Sequence, residues 1–112
     1  MPMINGEIEG MRLVTAHHYT ECGRRAFLTL RSLVENHVLL PPLFSDVLFF
    51  KKDEGKRATV FTTDCGGGMW YALIVHQFAY DATWGTECVE LQTRDGIKRF
   101  TWDSELSKWL ES

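Results

Sequence analysis

The residues with most chemical potential lie in the stretch DCGGGMWYALIVH, from Asp64 to His76. Cys65 stands between a carboxylate and three glycines, and His76 follows it by eleven residues. A thiol becomes a nucleophile when a nearby base removes its proton, so a cysteine within hydrogen-bond reach of a histidine would do acyl-transfer chemistry. The spacing forbids that pairing. Eleven residues span about 35 Å along a strand at roughly 3.3 Å per residue, and about 16 Å along a helix at 1.5 Å per residue.

The opening Asp-Cys-Gly-Gly also resembles the Asp-Cys-Ser-Gly start of the catalytic helix in NlpC-type cysteine peptidases. That resemblance implies a catalytic Cys65 and a histidine base well downstream on a separate strand. Here His76 is the last histidine of the chain. Three glycines weaken a helix start, and the aromatic, β-branched run WYALIVHQFAY favours a strand. The resemblance is set aside. Gly66 to Gly68 are expected to form a turn feeding a strand, with Cys65 as a small strand-end residue.

Metal chemistry finds a partial donor set. His18 and Cys22 are four apart and would share one helix face, with His17 beside them. A zinc site needs a second pair of ligands, and Cys65, Cys88, His37 and His76 follow no ligand spacing. The carboxylate pairs have structural explanations: Glu7 and Glu9 on an edge strand, Asp53 and Glu54 at a loop tip, Asp103 and Glu105 at a helix start. No phosphate-binding glycine loop ends in Lys-Ser/Thr, and no Gly-x-Ser-x-Gly elbow exists. No catalytic residue, metal or cofactor is expected.

The elements that would hold these groups read as α+β. Ala26, Phe27, Leu30, Leu33 and Val34 recur at helical spacing and predict a helix from Thr20 to His37, stopped by Pro41 and Pro42. From Asp46 the period becomes two. DVLFFKK and RATVFTTD flank a hairpin centred on Glu54-Gly55, and the next turn is centred on Gly66-Gly67. CVELQT and IKRFTW flank Asp95-Gly96. Asp103 or Ser104 would cap a short C-terminal helix with Leu106, Trp109 and Leu110 as its stripe. The expectation is one long helix on a mostly antiparallel meander of four to six strands. Residues 1–112 form a single domain, with 1–15 as an edge strand or arm.

The bulk numbers narrow the function. The chain has 112 residues, net charge −3, 45% hydrophobic and 24% charged residues. An acidic balance argues against a nucleic-acid binder. Three widely spaced cysteines argue against a disulfide framework and for a reducing, cytoplasmic setting. The first ten residues lack a basic start and an apolar core, so no signal peptide is expected. No apolar run approaches the roughly 20 residues of a membrane span.

The middle strands are apolar on both faces. With those hairpin centres, one face collects Val47, Phe49, Ala58, Val60, Tyr71, Leu73 and Val75. The other collects Leu48, Phe50, Phe61, Trp70, Ala72, Ile74 and Phe78, with His76 in line. One helix covers one face. The expected function is therefore a non-catalytic binding or accessory protein. Phe50, Phe61, Trp70, Ile74, His76 and Phe78, with Trp84 in a loop, would meet a protein partner or a second copy of the chain. The alternative is a small enzyme or apolar-ligand binder with its pocket on the same face and His76 as its polar group. No nucleic acid or membrane is expected as a partner.

Overall fold

The structure, a computed structural model, describes residues 7–8, 11–14, 20–39, 46–52, 55–62, 72–80, 83–93 and 95–112. It is an α+β fold with one helix packed on an antiparallel sheet. In chain order the elements are β1 (Glu7–Ile8), β2 (Met11–Val14), α1 (Thr20–Glu35), β3 (Asp46–Lys52), β4 (Lys56–Thr62), β5 (Ala72–Tyr80), β6 (Thr83–Thr93), β7 (Gly96–Asp103) and β8 (Lys108–Glu111). Among the described residues, eight strands lie side by side in sequence order, with the helix spliced between β2 and β3. Two features raise the count above the expected four to six. The N-terminal segment is a short hairpin joined through β2 to β3, and the chain ends in a strand.

Helix α1 starts at Thr20 as its spacing predicts and stops two residues before His37. The Val38 N–H donates to Leu33 O at 2.9 Å and the His37 N–H to Val34 O at 3.1 Å, while His37 takes a φ of 61°. This is a Schellman closure with a histidine in the left-handed position that glycine usually fills. Ala26, Leu30 and Leu33 are buried against the sheet, joined by Phe61, Leu73, Val75, Val89 and Leu91. Gly23 lets the first turns come close: a Cβ there would stand 3.1 Å from the Phe49 ring. Among the described residues no helix is long and apolar enough to cross a membrane.

Hairpin length decides which side chains meet this helix. Lys52 pairs with Lys56, so the β3–β4 connection has three residues, with Gly55 at a φ of 75°. The pairing register is one residue from the expected one, and one residue of slip exchanges the two faces of a strand. Ala58 and Val60 therefore join Leu48 and Phe50, while Phe61 turns to the helix side. Phe61 is a correction to the expected second face. Its ring meets Phe27 edge-on, with centroids 5.0 Å apart. The β4–β5 pairing, Val60 opposite Ile74, slips by one in the other sense, so Leu73 and Ile74 keep their expected faces.

The second face forms its own core of Phe50, Ala58, Val60, Ala72 and Ile74 with Leu48 against it. All five are fully buried within the single chain, so no second subunit is needed to shelter them. The connection carrying Cys65, Gly66 to Gly68 and Trp70 lies outside the described residues, as do His17 and His18.

Two corrections follow further along. Trp84 belongs to β6, opposite Ala79, and not to a loop. Strand β6 also carries a bulge, because His76 faces Cys88 while Gln77 faces Thr86, leaving Glu87 as the extra residue. Plain alternation from Val89 would send Thr86 and Trp84 to the second face. The extra residue turns both to the helix side. At the C-terminus the expected helix is a hairpin. Asp103 does accept the Leu106 N–H at 2.9 Å, as a helix cap would. Ser107 then takes a φ of 53°, the chain reverses, and β8 pairs with β7. The expected stripe disperses, since Leu106 and Leu110 are exposed while Trp109 packs against the helix-side core.

Candidate functional site

The three tryptophans among the described residues converge on the helix side of the sheet. Trp84 arrives through the β6 bulge. Trp102 and Trp109 face one another across β7–β8, their rings in an edge contact at 5.5 Å and 67°. Between them and helix α1 runs a groove of about 340 Å³, lined by Arg25, Leu28, Thr29 and Ser32 from the helix and Trp84, Gly85, Thr86, Trp102 and Trp109 from the sheet. Its volume lies at the small end of the range for ligand clefts. Leu28 and Trp102 are 46% and 44% exposed, so its walls are apolar and open to solvent.

Polar contacts hold the groove in shape. The Trp109 indole N–H donates to Ser32 Oγ at 3.1 Å, and the hydroxyls of Thr29 and Thr86 meet at 2.8 Å. These bonds tie α1 to β8 and to β6. The guanidinium of Arg57 sits 5.0 Å from the Trp84 ring centroid, a cation–π contact. Arg25 is the one charged residue of the lining, and it has no ion pair or hydrogen bond among the described residues. The groove therefore offers aromatic surface and positive charge on a chain whose net charge is −3.

A second polar cluster lies on the other face. The His76 Nε2 is 3.4 Å from Glu90 Oε1, Arg99 Nη2 is 3.3 Å from the same oxygen, and Gln92 donates to Glu90 Oε2 at 3.5 Å. Glu90 is buried. The hydrogen bond from His76 holds its carboxyl below the usual range against the opposing effect of burial, with Gln92, the His76 charge and the Arg99 charge adding to it. This is a chain of charge-assisted contacts closing over the edge of the second core. Cys88 is the residue opposite His76 across the ladder, and the His76 ring bonds to Glu90.

The structure thus divides the residues singled out from sequence. Phe50 and Ile74 are sealed in the second core, and Phe61 is sealed under the helix. His76 joins the Glu90 cluster, and Phe78 lies opposite Gly85 with its ring over that glycine. Trp84, from this set, lines the open groove. Trp102, Trp109 and Arg25 were not singled out for binding. The signal available for Trp102 was the β7 alternation, which places it on the helix side whichever even register is chosen; Trp109 gave none, because its segment reads as a helix. Among the described residues no group of three His, Cys, Asp or Glu could hold a metal ion. The chain matches no family model, no curated protein and no solved structure.

Proposed function

We propose that this chain is a small non-catalytic binding protein whose contact surface for a protein partner is the tryptophan-lined groove between α1 and β6–β8. The observation that carries the reading is the convergence of Trp84, Trp102 and Trp109 on one open groove, with an Arg25 that has no ion pair among the described residues. Tryptophan and arginine are the side chains that contribute most when buried in an interface. On the second face, where the expected patch lay, Phe50, Ala58, Val60, Ala72 and Ile74 are buried within the chain.

The test is affinity capture with the wild-type chain and Trp102→Ala side by side, followed by titration of any differentially retained, purified protein. Three tryptophans lie in the groove, so binding there changes the intrinsic fluorescence. A partner that binds the wild type and loses at least about tenfold in affinity with Trp102→Ala supports the reading, because hot-spot truncations cost upward of about 1–2 kcal/mol. Partners that fail to distinguish the two proteins, at equal melting temperature, overturn it.

A further inference from the structure

Strand β8 is the outer edge of the sheet, and among the described residues no strand pairs with its far side. In an antiparallel ladder, opposed residues alternate between pairs that exchange both backbone hydrogen bonds and pairs that exchange none. The Ser112 N–H donates to Arg99 O at 2.9 Å. Counting back by twos, Leu110 and Lys108 are the positions bonded to β7. Trp109 and Glu111, opposite Trp102 and Phe100, are the intervening ones. Their N–H and C=O groups point off the edge, and their side chains fall on the groove side of the sheet.

We propose that this edge accepts an extended, acidic peptide segment of a partner protein as an added strand, hydrogen-bonded to the backbone of Trp109 and Glu111, with alternate side chains laid in the groove. The proposal rests on the groove being the contact surface argued above. Strand addition draws affinity from main-chain bonds and specificity from pockets for every second side chain. A residue arriving opposite Trp109 would place its side chain beside an indole whose N–H is already held by Ser32. The acidic character follows from Arg25, whose guanidinium has no carboxylate of its own among the described residues. Glu111 lies on the same face, so the acidic position belongs toward Arg25 and away from the end of β8. A second copy of the chain suits this edge poorly. With four residues in β8, twofold pairing would bury on the order of a few hundred Å², short of the roughly 1,000 Å² of a stable interface.

The test is selection of a random heptapeptide library on the wild-type chain, then titration of the selected peptides by tryptophan fluorescence. The expected peptides alternate apolar side chains with an acidic one. Their affinity should fall at least about tenfold in Arg25→Gln, and likewise in Glu111→Pro, which deletes one outward N–H and leaves the ladder to β7 intact. Amide exchange reads the contact directly. The N–H groups of Trp109 and Glu111 should exchange fast in the unbound chain and slowly in the complex, while Leu110 is protected in both. Peptides that need Trp102 but leave the Trp109 and Glu111 amides unprotected would overturn strand addition and leave the groove reading standing. So would an empty selection alongside a protein partner that depends on Trp102. An empty selection with no such partner would overturn both. A doubled mass in light scattering that Glu111→Pro reverses would assign the edge to a second copy instead.

Discussion

The indole N–H of Trp109 reaches Ser32 Oγ at 3.1 Å across 77 positions of sequence, joining the last strand to the only helix among the described residues. The contact fixes one wall of the groove. Ser32→Ala should cost about 0.5–1.5 kcal/mol, the usual net worth of one such bond. Trp109→Phe should cost more, because it removes ring area as well. If the bond is the shared element, the double variant costs less than the sum of the two, with a coupling of about 0.5–1.5 kcal/mol in urea denaturation. Simple additivity would mean that the bond contributes nothing to stability.

His37 closes α1 in a left-handed conformation, with a φ of 61° and an exposed side chain. A Cβ in that region costs roughly 1–2 kcal/mol, and glycine does not incur it. His37→Gly should therefore stabilise the chain by up to about 1 kcal/mol after glycine's larger loss of backbone entropy, although it removes a side chain. The midpoint of urea denaturation should rise with its slope unchanged. A falling midpoint would show that the histidine ring contributes more than its backbone strain costs.

Much of this architecture is legible in alternation, and what escapes is parity. The β6–β7 connection differs from the expected one by two residues, since Thr93 pairs with Gly96. Val89, Leu91, Phe100 and Trp102 still share a face. The β3–β4 connection differs by one, which was enough to move Phe61 beneath the helix. Nothing in Asp53-Glu54-Gly55 separates a two-residue loop from a three-residue one, because glycine serves both at positive φ. The bulge at Glu87 is equally silent, and without it Trp84 reads as belonging to the wrong surface. The C-terminal hairpin shows the same limit. Asp103 caps a turn whether the chain continues as a helix or reverses at Ser107, and the choice is made by Trp109 packing against Trp102 and Ser32.

Glu90 makes stability depend on acid. Its folded carboxyl titrates below its ordinary value of 4.5, chiefly through the hydrogen bond from His76. A group depressed in this way stabilises the fold fully above its unfolded pKa, and that contribution is lost as pH falls through the folded value. Glu90→Gln keeps the shape and removes the charge. It should cost about 1–3 kcal/mol near pH 7, as for other charge-assisted bonds to buried groups. The gap to wild type should close as the pH drops below 4.5. Urea midpoints at pH 7, 5 and 3 are the measurement, and a gap undiminished at the lowest pH would place the cost of the substitution in packing instead of charge.

Gly85 and Phe78 stand opposite one another across β5–β6, and the ring lies end-on over the glycine. A Cβ at position 85 would come within 2.8 Å of Phe78 Cζ and 3.2 Å of both Cε atoms, closer than carbon atoms pack. The backbone of Gly85 is not among the positive-φ residues, so alanine meets no conformational strain there. The whole penalty is steric. Gly85→Ala should push Phe78 off its seat at a cost of about 1–3 kcal/mol. That assignment can be separated from any general intolerance of the strand. In a Phe78→Ala background the obstructing ring is gone, and the same glycine substitution should be neutral or mildly stabilising, because alanine has less backbone entropy to lose. Equal penalties in the two backgrounds would mean that something other than the Phe78 ring demands glycine at this position.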